Sequence, residues 1–289
     1  MVHGRPGTGA IATVAAGMLL AACACATAGD RLGWTGGVTE VEGAGGGGLV
    51  PWSLVTGLGT EDELGASAFV SGANTDRFSL QAAGVAIGVF DRLELSWARQ
   101  WFDIGQVVPG TTLGQDVAGL KVRIAGDAVF DQDRWLPQLA AGALYKRTAD
   151  FGGVPRALGA ARGTGVDWYL AATKVFLGAA AGHDVLLDLT LRRSDANQYG
   201  LVGFGGGRGA VIRPEGSAAL WLTDSVLAGA EYRAKRPGLA SPAEGDASDV
   251  FVAWEPTKHL AVVLAWLDLG PVAFQSTQRG AYLSVSAQY

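Results

Sequence analysis

Cysteine is almost missing from this sequence: Cys23 and Cys25 are its 2 thiols, and both fall within the first 28 residues. A chain that is cysteine-free beyond that point builds no disulfide framework and does no thiol chemistry. Charge is sparse as well, at 17% of residues, where soluble domains carry about 25%. Yet 49% of the chain is apolar, which excludes a disordered polymer. The formal net charge of −5 argues against a nucleic-acid binder. There are 3 histidines, and neither G-x-S-x-G nor H-E-x-x-H occurs, so the common hydrolase and zinc-protease signatures are absent. Beyond the first 28 residues no apolar run is long enough for a membrane helix; LAVVLAWL, the best candidate, stops at Asp268. Glycine, by contrast, is abundant, with 44 residues, but it follows no G-x-y period, so a collagen helix is excluded.

The N-terminus reads as a secretory signal over residues 1–28, with Arg5 ahead of an apolar stretch from Ile11 to Ala26. Ala26-Thr27-Ala28 offers an A-x-A cleavage site and is the favoured reading. Leu20-Ala21-Ala22-Cys23 competes as a lipobox in which Cys23 would carry lipid.

The rest of the chain alternates with period two, the signature of strands with one apolar face. In the last segment Ala281, Leu283, Val285, Ala287 and Tyr289 share one face, opposite Tyr282, Ser284, Ser286 and Gln288. Leu120, Val122 and Ile124 oppose Lys121 and Arg123, and Leu187, Leu189 and Leu191 oppose Asp188, Thr190 and Arg192. Read throughout, the pattern predicts strands near 64–72, 78–90, 93–103, 116–126, 137–147, 165–177, 184–193, 214–223, 226–235, 249–255, 259–268 and 280–289. The stretch from Phe78 to Phe90 changes phase near Gly84, which suggests a bulge. Each strand has about the length that a tilted strand needs to cross a bilayer.

The connections alternate. Asp91-Arg92, 178–183, Asp224-Ser225 and 256–258 are short; 104–115, 148–164, 194–213, 236–248 and 270–279 are long and polar. Two fit less well: 73–77 is short where a long one is due, and 127–136 is the reverse. Short turns at one end and long loops at the other characterise an outer-membrane barrel, whose sheet must close because lipid cannot satisfy an open edge. The expected fold is therefore an all-β transmembrane antiparallel barrel of bacterial outer-membrane type. A soluble β-sandwich is the competing reading of the alternation alone. Even parity gives 12 strands, or 14 if both Trp34–Glu42 and Leu49–Leu58 join the wall.

The most distinctive motif is GGVTEVEGAGGGGLVPW, Gly36 to Trp52. No Lys-Ser/Thr follows its glycines, so it is a hairpin tip or barrel entry segment rather than a phosphate loop. Together with GLGTEDELGASAF (Gly57–Phe69) and GVAIGVFDRLELSWA (Gly84–Ala98), this motif resembles the bacterial family designated domain of unknown function 3034. The resemblance runs over essentially the whole chain after the signal. It implies a secreted outer-membrane barrel with no assigned activity, and it carries no catalytic residues across. The expected division is a signal peptide over 1–28, a glycine-rich segment over 29–63 acting as plug or first hairpin, and a barrel over 64–289.

Charged residues opposite apolar faces must line the lumen if the apolar faces meet lipid. These candidates are Glu94, Lys121, Arg123, Asp188, Arg192, Glu231, Arg233, Lys235 and Glu255. They either line an open channel or pair with one another in a plugged barrel. The terminal Tyr289, with Ala287, Val285, Leu283 and Ala281, looks like the C-terminal signal read by the barrel-assembly machinery. His183 and His259 sit beside short turns, away from where an outer-leaflet hydrolase needs them, so no enzyme, metal or cofactor is expected. The leading expectation is a passive channel for small solutes in the bacterial outer membrane. The alternative is a non-conducting structural or adhesion barrel that binds a partner through its loops. The expected partners are outer-membrane lipid, the assembly machinery and small solutes, with no nucleic acid.

Overall fold

The computed structural model describes residues 31–207, 209–235, 245–272 and 274–289. The leader over 1–28, its two cleavage sites and Cys23 lie outside them. Twelve antiparallel strands form one closed barrel. In chain order they are β1 (Leu64–Thr75), β2 (Ser79–Val89), β3 (Leu93–Asp103), β4 (Thr112–Ala125), β5 (Gln138–Thr148), β6 (Thr164–Ala180), β7 (His183–Ser194), β8 (Val211–Thr223), β9 (Val226–Arg233), β10 (Ala247–Thr257), β11 (Leu260–Val272) and β12 (Gln275–Gln288). Each pairs with its sequence neighbours. The seam closes where β12 meets β1, in register from Gly280 opposite Thr75 to Gln288 opposite Ser67. Closure leaves no edge strand, as a sheet in lipid requires.

The alternation decides which way each side chain points. On β4, Leu120, Val122 and Ile124 are exposed while Lys121 and Arg123 are buried. On β7, Leu187, Leu189 and Leu191 face out, whereas Asp188, Thr190 and Arg192 face in. Trp97, Trp168, Trp254 and Trp266 join this outer surface. The exterior is thus apolar and the interior polar, the reverse of a soluble sandwich and the pattern of a transmembrane barrel.

The structure departs from the sequence expectation at two places. First, no bulge marks Gly84: β2 runs in unbroken register with both β1 and β3. The phase change arises because the apolar residues on the upper part of this stretch point inward. Phe78 packs beneath the loops with Phe102, Leu113 and Leu201, and Leu80 lies against the same cluster, whereas Val85 and Ile87 point outward. Second, 270–279 is no long loop, because β11 runs to Val272 and β12 starts at Gln275. Strands that project beyond the apolar belt lose their apolar face, and periodicity no longer reveals them. Residues 34–58, the candidates for two further strands, add none to the wall. Their one ladder is a short pairing of Val38 with Gly46 and of Thr39 with Gly45, so the expected twelve strands form the wall and the alternative of fourteen falls away.

These residues instead occupy the barrel interior, and from Trp34 to Gly59 every one is buried. A barrel of this size has more space than its own side chains fill. Trp52, Leu49 and Val50 take part of it, packed with Phe251, Leu267 and Tyr282 of the wall. The other end of the wall is shaped by residues 195–207, which fold inward so that Asn197, Gln198, Leu201 and Phe204 are buried.

Candidate functional site

The interior segment can lie against the wall because its glycines carry no side chain. A Cβ on Gly47 would stand 1.9 Å from Oε1 of Glu231, and one on Gly46 would stand 2.3 Å from the carbonyl of Val50. With glycine at these positions the backbone reaches the charged groups directly. Glu231 accepts hydrogen bonds from the amides of Gly48 and Leu49, both at 2.7 Å, and from the Ser217 hydroxyl at 2.7 Å. Glu94 accepts from the amides of Gly45 at 3.0 Å and Thr56 at 2.9 Å. Lys121 donates to the carbonyls of Gly45 and Leu54, each at 2.8 Å.

Uncharged wall residues continue the grip. Gln138 donates to Ser53 O at 2.7 Å, Thr190 to Pro51 O at 2.9 Å, Gln100 to Val41 O at 2.7 Å and Gln288 to Gly37 O at 2.6 Å. The indole of Trp52 donates to Ser217 Oγ at 2.8 Å. Buried peptide groups need partners, and here the wall supplies them.

Nearer the long loops the segment contributes a charge of its own. Glu42 meets Lys146, and its Oε2 lies 2.8 Å from Arg233 and 3.2 Å from Arg192. Arg192 also pairs with Glu215 at 2.7 Å, and Lys146 with Asp167 at 2.7 Å. At the short-turn end Arg31 and Arg123 share Asp91, and Arg123 also holds Asp127 at 2.9 Å. Partial burial pushes the Asp127 carboxyl up, but the amides of Phe130 and Val129 and the Arg123 guanidinium outweigh it and hold it below its ordinary range.

The predicted lumen residues are all buried, and they fall into separate groups. Glu94 and Lys121 are together, at 3.1 Å. Arg192 and Arg233 meet through Glu42 and Glu215. Glu231 stands apart on the glycine run, and Asp188 is held by Thr173 at 2.6 Å and Thr190 at 3.1 Å. Arg123 sits at the short-turn end, and so does Glu255, which accepts from the Trp34 amide at 3.3 Å. Lys235 lies just beyond β9 and donates to the carbonyl of Leu269. Sequence reasoning missed Glu42, Lys146, Asp167 and Glu215. Of these, Asp167 had a visible signal, since Val166, Trp168 and Leu170 alternate with it and are exposed.

Along the C-terminal face Ala281 and Leu283 are exposed, Val285 and Tyr289 are half-buried, and Ala287 is covered. The Tyr289 ring stacks on His259 at 5.2 Å. His183 and His259 each turn Nδ1 to a backbone carbonyl, of Trp221 and Gln288 respectively. Among the described residues no three His, Cys, Asp or Glu side chains cluster as a metal site would require.

A family model described as "Protein of unknown function (DUF3034)" matches residues 35–286. No curated protein matches the sequence. Among solved structures, the NanC porin is similar at 8% identity and a TM-score of 0.47, with 77% of this chain and 98% of that one covered. The outer membrane protein Omp33 of Acinetobacter baumannii is similar at 10% identity and a TM-score of 0.45, with 80% and 100% covered. The N-terminal β-barrel domain of Pseudomonas aeruginosa OprF gives 7% identity, a TM-score of 0.25, and 78% and 97% coverage.

Proposed function

The chain belongs to the DUF3034 family of proteins of unknown function, and from the geometry of its interior we propose that it is an outer-membrane barrel for small solutes, closed at rest by residues 31–59. The observation that carries this reading is the chemistry of the closure. A barrel meant only as a structural stave can fill its lumen with apolar side chains from the wall. Here a separate stretch of chain fills it, and the wall grips that stretch through Glu94, Lys121, Glu231 and Arg233. Contacts of this kind are polar, so water can take them over one by one and the segment can leave without opening the wall.

The apolar exterior fits outer-membrane lipid, and the C-terminal aromatic strand fits recognition by the barrel-assembly machinery. The reading includes no catalytic step. Single-channel recording in planar bilayers tests it. Wild-type barrel should be closed for most of the time with brief openings. Glu231→Ala, which removes the acceptor for two segment amides, should lengthen those openings. If neither protein conducts while both run as folded, heat-modifiable barrels, the non-conducting structural or adhesion reading takes its place.

A further inference from the structure

The lipid-facing surface carries a groove. On β5 the outward positions Ala141 and Ala143 are small and half-buried, while the residues that flank them on the next strands are large and exposed. Register sets these residues in two rows across the strands. Leu120, Ala143, Trp168, Arg193 and Ile212 stand opposite one another in the first. Val122, Ala141, Leu170 and Leu191 form the second. Together they line an outward-opening groove of about 470 Å³, within the usual range for a small-molecule site, roughly 300–1,000 Å³.

The groove slopes. Arg193 is next to the last residue of β7 and Ile212 is second in β8, both at the long-loop end, whereas Leu120 and Val122 lie nearer the short-turn end of β4. Each row therefore descends from the long loops towards the middle of the wall. Arg193 is the one charged residue of the lining, and it sits at the top. It is exposed, and among the described residues it makes no ion pair. Its register partners, Trp168 and Ile212, are apolar. Other outward cations have an acid at hand: Arg99 pairs with Asp116 at 2.6 Å, and Arg147 stands opposite the same Asp116. Asp195, the acid two residues beyond Arg193, is taken by Arg162. A cation on a lipid-facing wall calls for a partner, and an indole beside it belongs at headgroup level.

We propose that this groove binds an anionic phospholipid, with the phosphate on Arg193 beside Trp168 and one acyl chain laid down the slope over Ala143 and Ala141. Charge selects this occupant over a second copy of the chain. A symmetric contact would bring the same patch from the other copy, and the patch holds no acid to meet Arg193. A phosphate offers two oxygens to the guanidinium fork, and an acyl chain matches Leu120, Val122 and Leu170. The site lies on the outer wall, so it stands apart from whether the lumen conducts.

Native mass spectrometry of the full-length barrel, folded in detergent, counts the lipids that stay bound. Phosphatidylglycerol and phosphatidylcholine with identical acyl chains are titrated separately. One phosphatidylglycerol should be retained per barrel, at least about tenfold more tightly than phosphatidylcholine, the worth of one charge-assisted bond. Arg193→Gln should bring phosphatidylglycerol down to the phosphatidylcholine level, and Arg147→Gln should leave it unchanged. Ala143→Leu, which fills the floor of the groove, should weaken both lipids and spare the heat-modifiable barrel; Ala141→Leu serves if that variant does not fold. Equal retention of the two lipids by the wild type would overturn the proposal. A preference that survives Arg193→Gln, or that Arg147→Gln abolishes equally, would overturn it as well. So would lipid binding untouched by the filled groove. A dimer that Ala143→Leu splits, with no lipid retained, would give the face to a second copy instead.

Discussion

Lys121 and Glu94 are direct cross-strand partners on β4 and β3, and the Lys121 ammonium stands 3.1 Å from the Glu94 carboxylate. Opposite charges so placed support a sheet in any case. Here the pair also holds the interior segment, since both groups bond Gly45 and they reach Thr56 and Leu54 further along. Removing one member leaves the other buried and uncompensated, at a cost of about 3–5 kcal/mol. Lys121→Met should therefore destabilise strongly, and the double variant Lys121→Met/Glu94→Gln should be more stable than Lys121→Met alone. Urea unfolding in bicelles reads both. A double variant weaker than the single one would mean that the pair is not coupled.

The glycine run makes a sharper case, because neighbouring positions should behave differently. At Gly47 a methyl group meets a Glu231 carboxylate that three donors fix in place. At Gly48 the nearest atom is 3.4 Å away, an ordinary contact. Gly47→Ala should cost about 1–3 kcal/mol as overpacking does, with Gly48→Ala close to wild type. Thermal melts by circular dichroism compare them.

Acid should loosen the short-turn end through Asp127. Its folded-state carboxyl is held below the ordinary value of 3.8. A depressed acid contributes stability that is complete above its unfolded value and is lost as the pH falls through the folded one. The gain from Asp127 is thus present at neutral pH and disappears below about pH 4. Arg31 and Arg123 share Asp91, and burial raises the Asp91 carboxyl, so the whole cluster does not titrate as one group. The difference in melting temperature between wild type and Asp127→Asn isolates the Asp127 part. It should be largest near pH 6 and shrink towards pH 3.

Orientation follows from the connections. Gly153 is exposed in the stretch between β5 and β6, at the long-loop end, and Thr257 closes β10 beside a short turn. An epitope tag at Gly153 should label on intact cells, and one at Thr257 only after permeabilisation. The reverse result would invert the barrel.

Deleting Tyr289 should lower the amount of folded barrel in the membrane fraction and raise periplasmic degradation. Heat-modifiable barrel at wild-type levels would show that this residue is dispensable for assembly.

Most of the wall was legible because lipid outside and a polar lumen inside force a clean period of two. Leu95, Trp97 and Leu120 announce their strands in this way. Legibility failed where the constraint is relaxed. At Lys146 the outward neighbours are Tyr145 and the charged Arg147, with only Ala141 and Ala143 further back, while the inward Leu144 is apolar. At Glu215 the outward neighbours are Pro214 and Gly216. The interior segment was the hardest part, because nothing local in VTEVEG says that Glu42 will meet three cations from strands more than a hundred residues away. That contact is a product of closure alone.

The carbonyl of Tyr289 accepts the amide of Leu58 at 2.9 Å and that of Ala66 at 2.6 Å. Tyr289 therefore fastens both the interior segment and the first strand. Until β12 closes the seam against β1, the stretch that will fill the barrel has nothing to fill, and its glycines, charges and Trp52 wait unpaired. Pairing of such distant partners is slow, which sets a clock on biogenesis. The segment has to be gathered before the seam shuts, or threaded through an end of the barrel afterwards, and the two routes predict opposite effects from fusing a bulky domain ahead of residue 31.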